Sequence, residues 1–295
     1  MLPSNLILPT TLGVAVLAIG LWTYRRDVAL SWREGGAWVA LGPVFVAAAL
    51  AAFAGEHFIL AKGIAQLVPK FLPGHLFIAY FVGVAHLAAA LSFIARRYVR
   101  WSSLCLAIMF ALFVLLMDLP GAMKNPTVRL SWILAAREGT FAMGALALFS
   151  REIRSAGLAA VARVWTALVV IFYGVEHILH PELSPGVPDS MVTAKWVPAP
   201  LALAYLTGAL LIGFGGAMLV RRFASRAGAL AGLLMLILTV LLYVPEFFKA
   251  NSFDTYLTAI NFTFDTLLFA GTLLLVAGAS AEGETERIAV SRTAG

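Results

Sequence analysis

The sequence predicts an all-α, polytopic membrane protein with about nine transmembrane helices, built as one leading helix and two parallel-repeat four-helix bundles. Composition is the first observation behind this fold class. Of 295 residues, 61% are hydrophobic and 12% are charged, whereas soluble domains carry about 25% charged residues. The second observation is a series of apolar runs close to the length of about 20 residues that crosses a bilayer. The third is an internal repeat of polar landmarks within those runs.

The apolar runs define the predicted spans. The first run is followed by the basic residues Arg25 and Arg26 rather than preceded by them, which favours a transmembrane helix over a signal peptide. Pro120 and Pro245 are predicted to end spans four and eight, because proline breaks helical hydrogen bonding. In chain order, the spans lie near residues 6–24, 37–60, 75–95, 101–119, 129–149, 161–180, 200–220, 227–245 and 256–278.

Four units follow from these spans. Residues 1–36 hold the leading transmembrane helix and a cytoplasmic loop, residues 37–150 the first four-helix repeat, and residues 161–278 the second. Residues 279–295 contain Glu, Ser, Thr and Arg, and they are predicted to form a disordered cytoplasmic tail.

The internal repeat begins at two Glu-His pairs. Ala-Gly-Glu-His-Phe-Ile-Leu at 54–60 is matched by Gly-Val-Glu-His-Ile-Leu-His at 174–180. Each repeat holds four spans, so both copies enter the membrane from the same side, and a pseudo-twofold axis along the membrane normal should relate them. Later landmarks recur 125 positions on: Pro73, Tyr80, Gly83, Arg96-Arg97 and Pro120 correspond to Pro198, Tyr205, Gly208, Arg221-Arg222 and Pro245.

Loop charges orient the predicted bundle. Arginines cluster in the loops after spans one, three, five and seven, and the positive-inside rule places such loops in the cytoplasm. We therefore expect a multi-pass protein of the cell inner membrane with its N-terminus outside and its C-terminus cytoplasmic. The formal net charge of +6 is accounted for by this topology, and the expected partners are membrane lipids rather than nucleic acid.

Polar residues that recur inside the spans are the candidate site. A carboxyl group near the bilayer centre is costly unless it is paired, protonated or hydrated. Each of these residues therefore has a functional interpretation, as part of a ligand pocket or proton relay, and a structural one, as a hydrogen bond to a neighbouring helix. Both readings stay open from the sequence. The ligand-binding or proton-handling candidates are Glu56, His57, Tyr80, Glu138, Glu176, His177, Tyr205 and Asp265. Catalytic residues cannot be named.

The two tyrosines are expected to face inward toward the Glu-His pairs, because a glycine one turn later marks a close helix contact.

His86 has Leu211 as its counterpart, so it is either a packed neutral histidine or a feature of the first half only. His177 and His180 lie one turn apart, but Leu60 stands in place of the second histidine in the first repeat, and no metal site is expected.

Cys105 is the single cysteine, inside an apolar run. A lone thiol excludes disulfide exchange within the chain. We predict that this side chain is a small buried hydrophobe.

The motifs resemble those of the DoxX-like family of four-helix membrane proteins, here in tandem duplication. The first copy carries Gly55-Glu56-His57-Phe58, Val68-Pro69-Lys70-Phe71-Leu72-Pro73 and Ala79-Tyr80-Phe81-Val82-Gly83; the second carries Val175-Glu176-His177-Ile178, Val197-Pro198-Ala199-Pro200 and Ala204-Tyr205-Leu206-Thr207-Gly208. The resemblance covers about residues 37–278. It implies the fold, and it implies an association with membrane redox systems that deliver electrons to quinone.

The hypothesis that follows is an integral membrane protein that binds a lipophilic small molecule, with quinone or another lipid as the candidate ligand and no covalent cofactor. Electrons for a redox role would have to come from a partner subunit. The alternatives are a proton-coupled transporter or flippase that uses Glu138 and Asp265, and a structural membrane subunit.

The topology is testable by labelling. Cysteines introduced into the loop between Ser184 and Ser190 should react with an impermeant thiol reagent in intact cells, because that loop is predicted to lie outside. Reaction only after permeabilisation would overturn the orientation.

Overall fold

A computed structural model describes residues 6–32 and 38–293. Within these ranges the chain is helical, and the isolated bridge between Leu183 and Val192 is the sole β feature. The helices are α1 Ile7–Thr23, α2 Arg25–Trp32, α3 Gly42–Ile59, α4 Ala61–Ile64, α5 His75–Ala95, α6 Val99–Phe113, α7 Leu119–Lys124, α8 Arg129–Glu152, α9 Ala156–Leu179, α10 Pro200–Leu219, α11 Arg221–Leu238, α12 Val244–Lys249 and α13 Phe253–Thr293.

The helix set confirms an all-α polytopic membrane protein. In the described part of the chain, 8 helical stretches are long and apolar enough to cross a membrane, and they match predicted spans two to nine. The first predicted span corresponds to the shorter apolar helix α1, of 17 residues.

Four helices form the centre of the molecule: the first and last helix of each repeat. Helix α3 packs on α13, and α9 packs on α8, so each repeat's first helix lies against the other repeat's last helix. Helices α8 and α13 also pack on each other. The remaining long helices lie outside, with α5 on α3, α6 on α8, α10 on α9 and α11 on α13, while α1 covers α3. The two halves are therefore interleaved, and each completes the other's core.

Two π-helical segments recur in the same place in each half. Val114–Asp118 connects α6 to α7, and Thr239–Tyr243 connects α11 to α12. Pro120 and Pro245 follow them; a proline ring clashes with the carbonyl four residues earlier and lacks an N–H, and a π-bulge accommodates that misfit. The prediction that these prolines end the spans is thus wrong, because the helices continue to Lys124 and Lys249.

Three further details differ from the sequence predictions. Helix α13 continues beyond Gly278 to Thr293, in a stretch rich in the helix formers Ala, Glu and Arg. Cys105 is exposed on the outside of α6 rather than buried, because it lies off the face that carries the buried residues Ser103, Leu106 and Ala107. In the 184–190 loop, Ser184 is buried whereas Ser190 is exposed, so Ser190 is the position suited to labelling.

Helices α9 and α10 approach closely at a glycine pair. A Cβ atom at Gly208 would lie 2.8 Å from the Gly174 carbonyl oxygen, and one at Gly174 would lie 2.7 Å from that of Gly208. Real Cβ atoms are not found so close to a carbonyl oxygen, so a side chain at either position would push the two helices apart.

Gly208→Ala should therefore lower the melting temperature in detergent, with a cost typical of overpacking, about 1–3 kcal/mol. Gly213→Ala on the same helix is the matched control, because a Cβ there meets no atom within 4 Å. Equal melting temperatures for the two variants would contradict the close packing of α9 and α10.

Candidate functional site

A cavity of about 650 Å³ lies mainly in the first half of the molecule, among α3, α5, α6 with its π segment, and α8, and α13 of the second half lines one side of it. Its wall is largely apolar and aromatic, and the segment from α4 to the start of α5 lines the end that is predicted to face outward. The apolar and aromatic lining includes Phe53, Leu67, Val68, Phe81, Met109, Phe110, Leu112, Phe113, Phe141, Phe262 and Leu268. Its size is in the range of pockets that hold drug-sized molecules.

The polar part of the cavity is an ion cluster around Arg137 of α8. The Arg137 guanidinium pairs with Asp265 of α13, with Asp189 at 3.4 Å and with its neighbour Glu138 at 3.4 Å. Asp265 and Asp189 belong to the second half, so both halves build this polar end. Asn261, one turn before Asp265, lines the cavity beside it.

The Glu56-His57 pair lies on the α3 wall of the cavity. His57 Nδ1 is 2.9 Å from the Phe53 carbonyl oxygen; a carbonyl only accepts, so Nδ1 carries the proton and Nε2 of the neutral ring is an acceptor. The His86 ring of α5 stands edge-on to His57, with 5.3 Å between ring centroids. Gly83 allows α3 and α5 to come this close, since a Cβ atom on Gly83 would lie only 2.8 Å from His57 Cβ.

Several buried polar atoms on the cavity lining have no hydrogen-bond partner. They are Glu56 Oε1, both ring nitrogens of His86, Asp118 Oδ2 and Arg137 Nε. Glu56 and His86 are only 7% and 3% exposed. An unsatisfied buried polar group costs about 1–3 kcal/mol, so this concentration is expensive for the fold alone and is typical of a ligand site.

The second Glu-His pair is bonded to its own chain. Residues 183–188 are all buried and fold into the second half; we call them the plug. The Gly186 N–H donates to His177 Nε2 at 3.1 Å, and Tyr243 Oη donates to the Pro185 carbonyl at 2.8 Å. Glu176 pairs with Arg129 of α8 at 3.1 Å.

The plug ends at the ion cluster. Arg129 donates to the Pro188 carbonyl at 2.7 Å and also to the Asp189 carbonyl, while the Asp189 carboxylate reaches Arg137. The segment that fills the second half thus supplies part of the lining of the cavity in the first.

The predicted site residues separate into three groups: residues that line the cavity, residues that bond to Arg129 and the plug, and the two exposed tyrosines. Glu56, His57, Glu138 and Asp265 line one cavity. Glu176 and His177 hold Arg129 and the plug.

The inward orientation expected for Tyr80 and Tyr205 is wrong, because they are 44% and 46% exposed. Successive helix residues lie about 100° apart, and in both helices the preceding alanine, Ala79 or Ala204, occupies the buried face.

Two acidic residues of the cavity were missed in the sequence analysis. Asp118 lies inside an apolar run just before Pro120. Because a carboxyl group is costly in a membrane, this position could have been recognised from the sequence as a candidate site residue. Asp189 lies in a loop, where an acidic residue is ordinary, and only the folded chain brings it to Arg137.

Comparison of the chain with protein-family models, curated proteins and solved structures finds no match. The DoxX-like resemblance therefore stays a prediction. Among the residues that the structure describes, no group of three or more His, Cys, Asp or Glu side chains is arranged to hold a metal ion.

The ion cluster should matter far more than a surface pair. Arg137→Met removes the cation shared by buried carboxylates, and breaking such a group typically costs about 3–5 kcal/mol. Arg96→Met, which breaks a half-exposed pair with Asp27, should cost about 0–1 kcal/mol. Melting temperatures in detergent compare the two, and equal losses would contradict the role given to Arg137.

Proposed function

We propose that this protein binds a lipophilic small molecule that enters from the bilayer and places a polar head group beside Glu56, His57 and His86. The observation that carries this proposal is the pairing, in one cavity of about 650 Å³, of an apolar, aromatic wall with buried polar atoms that have no partner. Cofactor and lipid sites in proteins commonly have this composition, with a few polar groups that fix orientation.

Lateral access supports a ligand that arrives through the membrane. Phe81 of α5 and Leu112 of α6 line the cavity and are 58% and 44% exposed. These exposed lining residues on two neighbouring helices support an opening between α5 and α6 toward the face that hydrocarbon chains would cover. Leu67, in the segment before α5, also lines the cavity and is exposed.

Quinone is the ligand that we propose within this class, in a membrane redox system. A ring with two polar substituents and a long apolar tail would match an aromatic wall with a polar end. In such a role the described side chains offer hydrogen bonds and sites for protons, and a partner subunit would supply the electrons.

A proton-coupled transporter or flippase is the second candidate function. It is favoured by the acidity of the cavity: Glu56, Asp118, Glu138, Asp189 and Asp265 all line it, against the single guanidinium of Arg137. Buried acids in such excess are typical of proton pathways. The purified protein in liposomes would then move its substrate in response to a proton gradient without any partner, whereas a redox subunit would not.

A structural membrane subunit is the third candidate, and the Arg137–Asp265 pair between the halves favours it for that part of the site. Glu138 and Asp265 are then primarily structural, while Glu56 and His57 remain the ligand candidates.

Variants of the Glu-His pair separate ligand binding from structure. A short-chain quinone in its reduced, hydroxyl-bearing form should raise the melting temperature of the wild-type protein, because a ligand that binds only the folded state stabilises it. Glu56→Gln and His57→Ala should reduce this rise and leave the protein folded.

The matched controls are Glu176→Gln and His177→Ala at the plugged site. They should lower the melting temperature without quinone, through loss of buried hydrogen bonds worth about 1–3 kcal/mol, and they should keep the rise that quinone produces. If both pairs of variants lost stability equally, with and without quinone, only a structural role would remain for the Glu-His pairs.

A further inference from the structure

The plug occupies, in the second half, the position that a ligand would take in the first. It bonds to His177 and Tyr243. His177 is the repeat counterpart of His57, and Tyr243, 125 positions after Asp118, is the counterpart of Asp118. Both first-half residues line the cavity.

A single peptide group makes both plug contacts. The N–H of Gly186 lies 3.1 Å from His177 Nε2, and the Gly186 carbonyl oxygen lies 3.2 Å from the same nitrogen. The carbonyl of Pro185, in the same peptide bond as that N–H, accepts from Tyr243 Oη at 2.8 Å. In the tautomer of His177 whose Nε2 accepts from the Gly186 N–H, this peptide group therefore donates to an imidazole and accepts from a phenol.

The first half presents a different pair of partners. His57 Nε2 is also an acceptor, since Nδ1 donates to the Phe53 carbonyl at 2.9 Å. Asp118 replaces the tyrosine, and an ionised carboxylate offers acceptors only; its Oδ2 is buried and has no partner. Aspartate is also shorter than tyrosine by about one ring, so its side chain leaves room that the Tyr243 ring fills in the second half.

On the basis of the proposed function, we infer that the ligand of the first-half cavity carries a hydroxyl or N–H donor, which binds His57 Nε2. A ring or short chain beyond that donor extends toward Asp118, and the apolar tail passes between α5 and α6. A head group with acceptors alone, such as an ether or a ketone, would leave His57 Nε2 unpaired. The inference names lipophilic alcohols and phenols, including the hydroxyl-bearing reduced form of a quinone.

The experiment compares para-octylphenol with its methyl ether in nanodiscs, with affinity read from the melting temperature as the mole fraction of each probe rises. The probes share an apolar tail and differ in one donor. A buried hydrogen bond of ordinary strength makes the phenol bind roughly tenfold more tightly to the wild-type protein. In His57→Phe, which removes the acceptor, this ratio should fall to about one.

Tyr80→Phe is the matched control, because Tyr80 lies on the exposed face of α5, outside the cavity; it should keep the wild-type ratio. Equal binding of the two probes to the wild-type protein would overturn the inference and leave lipophilic binding intact. A ratio that persists in His57→Phe would place the donor contact elsewhere and would also overturn it. Failure of both probes to bind would contradict the inference and the proposed function together.

Discussion

The Arg137 ion cluster is the interaction on which the rest of this structure depends. A guanidinium and its carboxylates are tolerated in a membrane interior only in each other's company, and Arg137 of the first half finds two of its partners, Asp265 and Asp189, in the second. Helices α3 and α8 of the first half pack on α13 of the second, and α8 also packs on α9. Asp189 also connects the cluster to the end of the plug, so one set of charges joins the halves, lines the cavity and anchors the segment that fills its counterpart.

The two halves share the same helix arrangement but differ in the residues that line their interiors. Both halves keep the Glu-His pair, a glycine on the next long helix (Gly83 or Gly208), and a π segment before a proline. They differ where the cavity lies: His86 and Asp118 in the first half correspond to Leu211 and Tyr243 in the second, and the second loop is longer. Leu211 stands where His86 has two ring nitrogens without partners, and Tyr243, which bonds to the Pro185 carbonyl, stands where the Asp118 carboxyl has a buried oxygen without one. These differences support the proposal that the first half binds the ligand and that the second half has a supporting role.

Much of the fold could be predicted from the sequence, because span length and composition are local properties and the repeat fixes helix order. The site could be predicted only in part. Glu56, His57, Glu138 and Asp265 stood out because carboxyl and imidazole groups are costly in a membrane, but the outward direction of Tyr80 depends on helix rotation, which an all-apolar helix does not encode clearly. The plug left one trace: the repeat offset changes from 120 at Glu56 and Glu176 to 125 at Pro73 and Pro198. The burial of the plug depends on tertiary contacts, which the local sequence does not show.

The central claim is that lipophilic ligands enter the first half and not the second. Photolabelling tests it most directly, with a diazirine-bearing alkylphenol, excess unlabelled phenol as competitor, and peptide mapping by mass spectrometry. The account predicts competed label on the cavity walls of α3, α5 and α6, at residues such as Phe81, Leu112 and Phe113. Competed label spread equally over the equivalent positions of α9, α10 and α11 would contradict it.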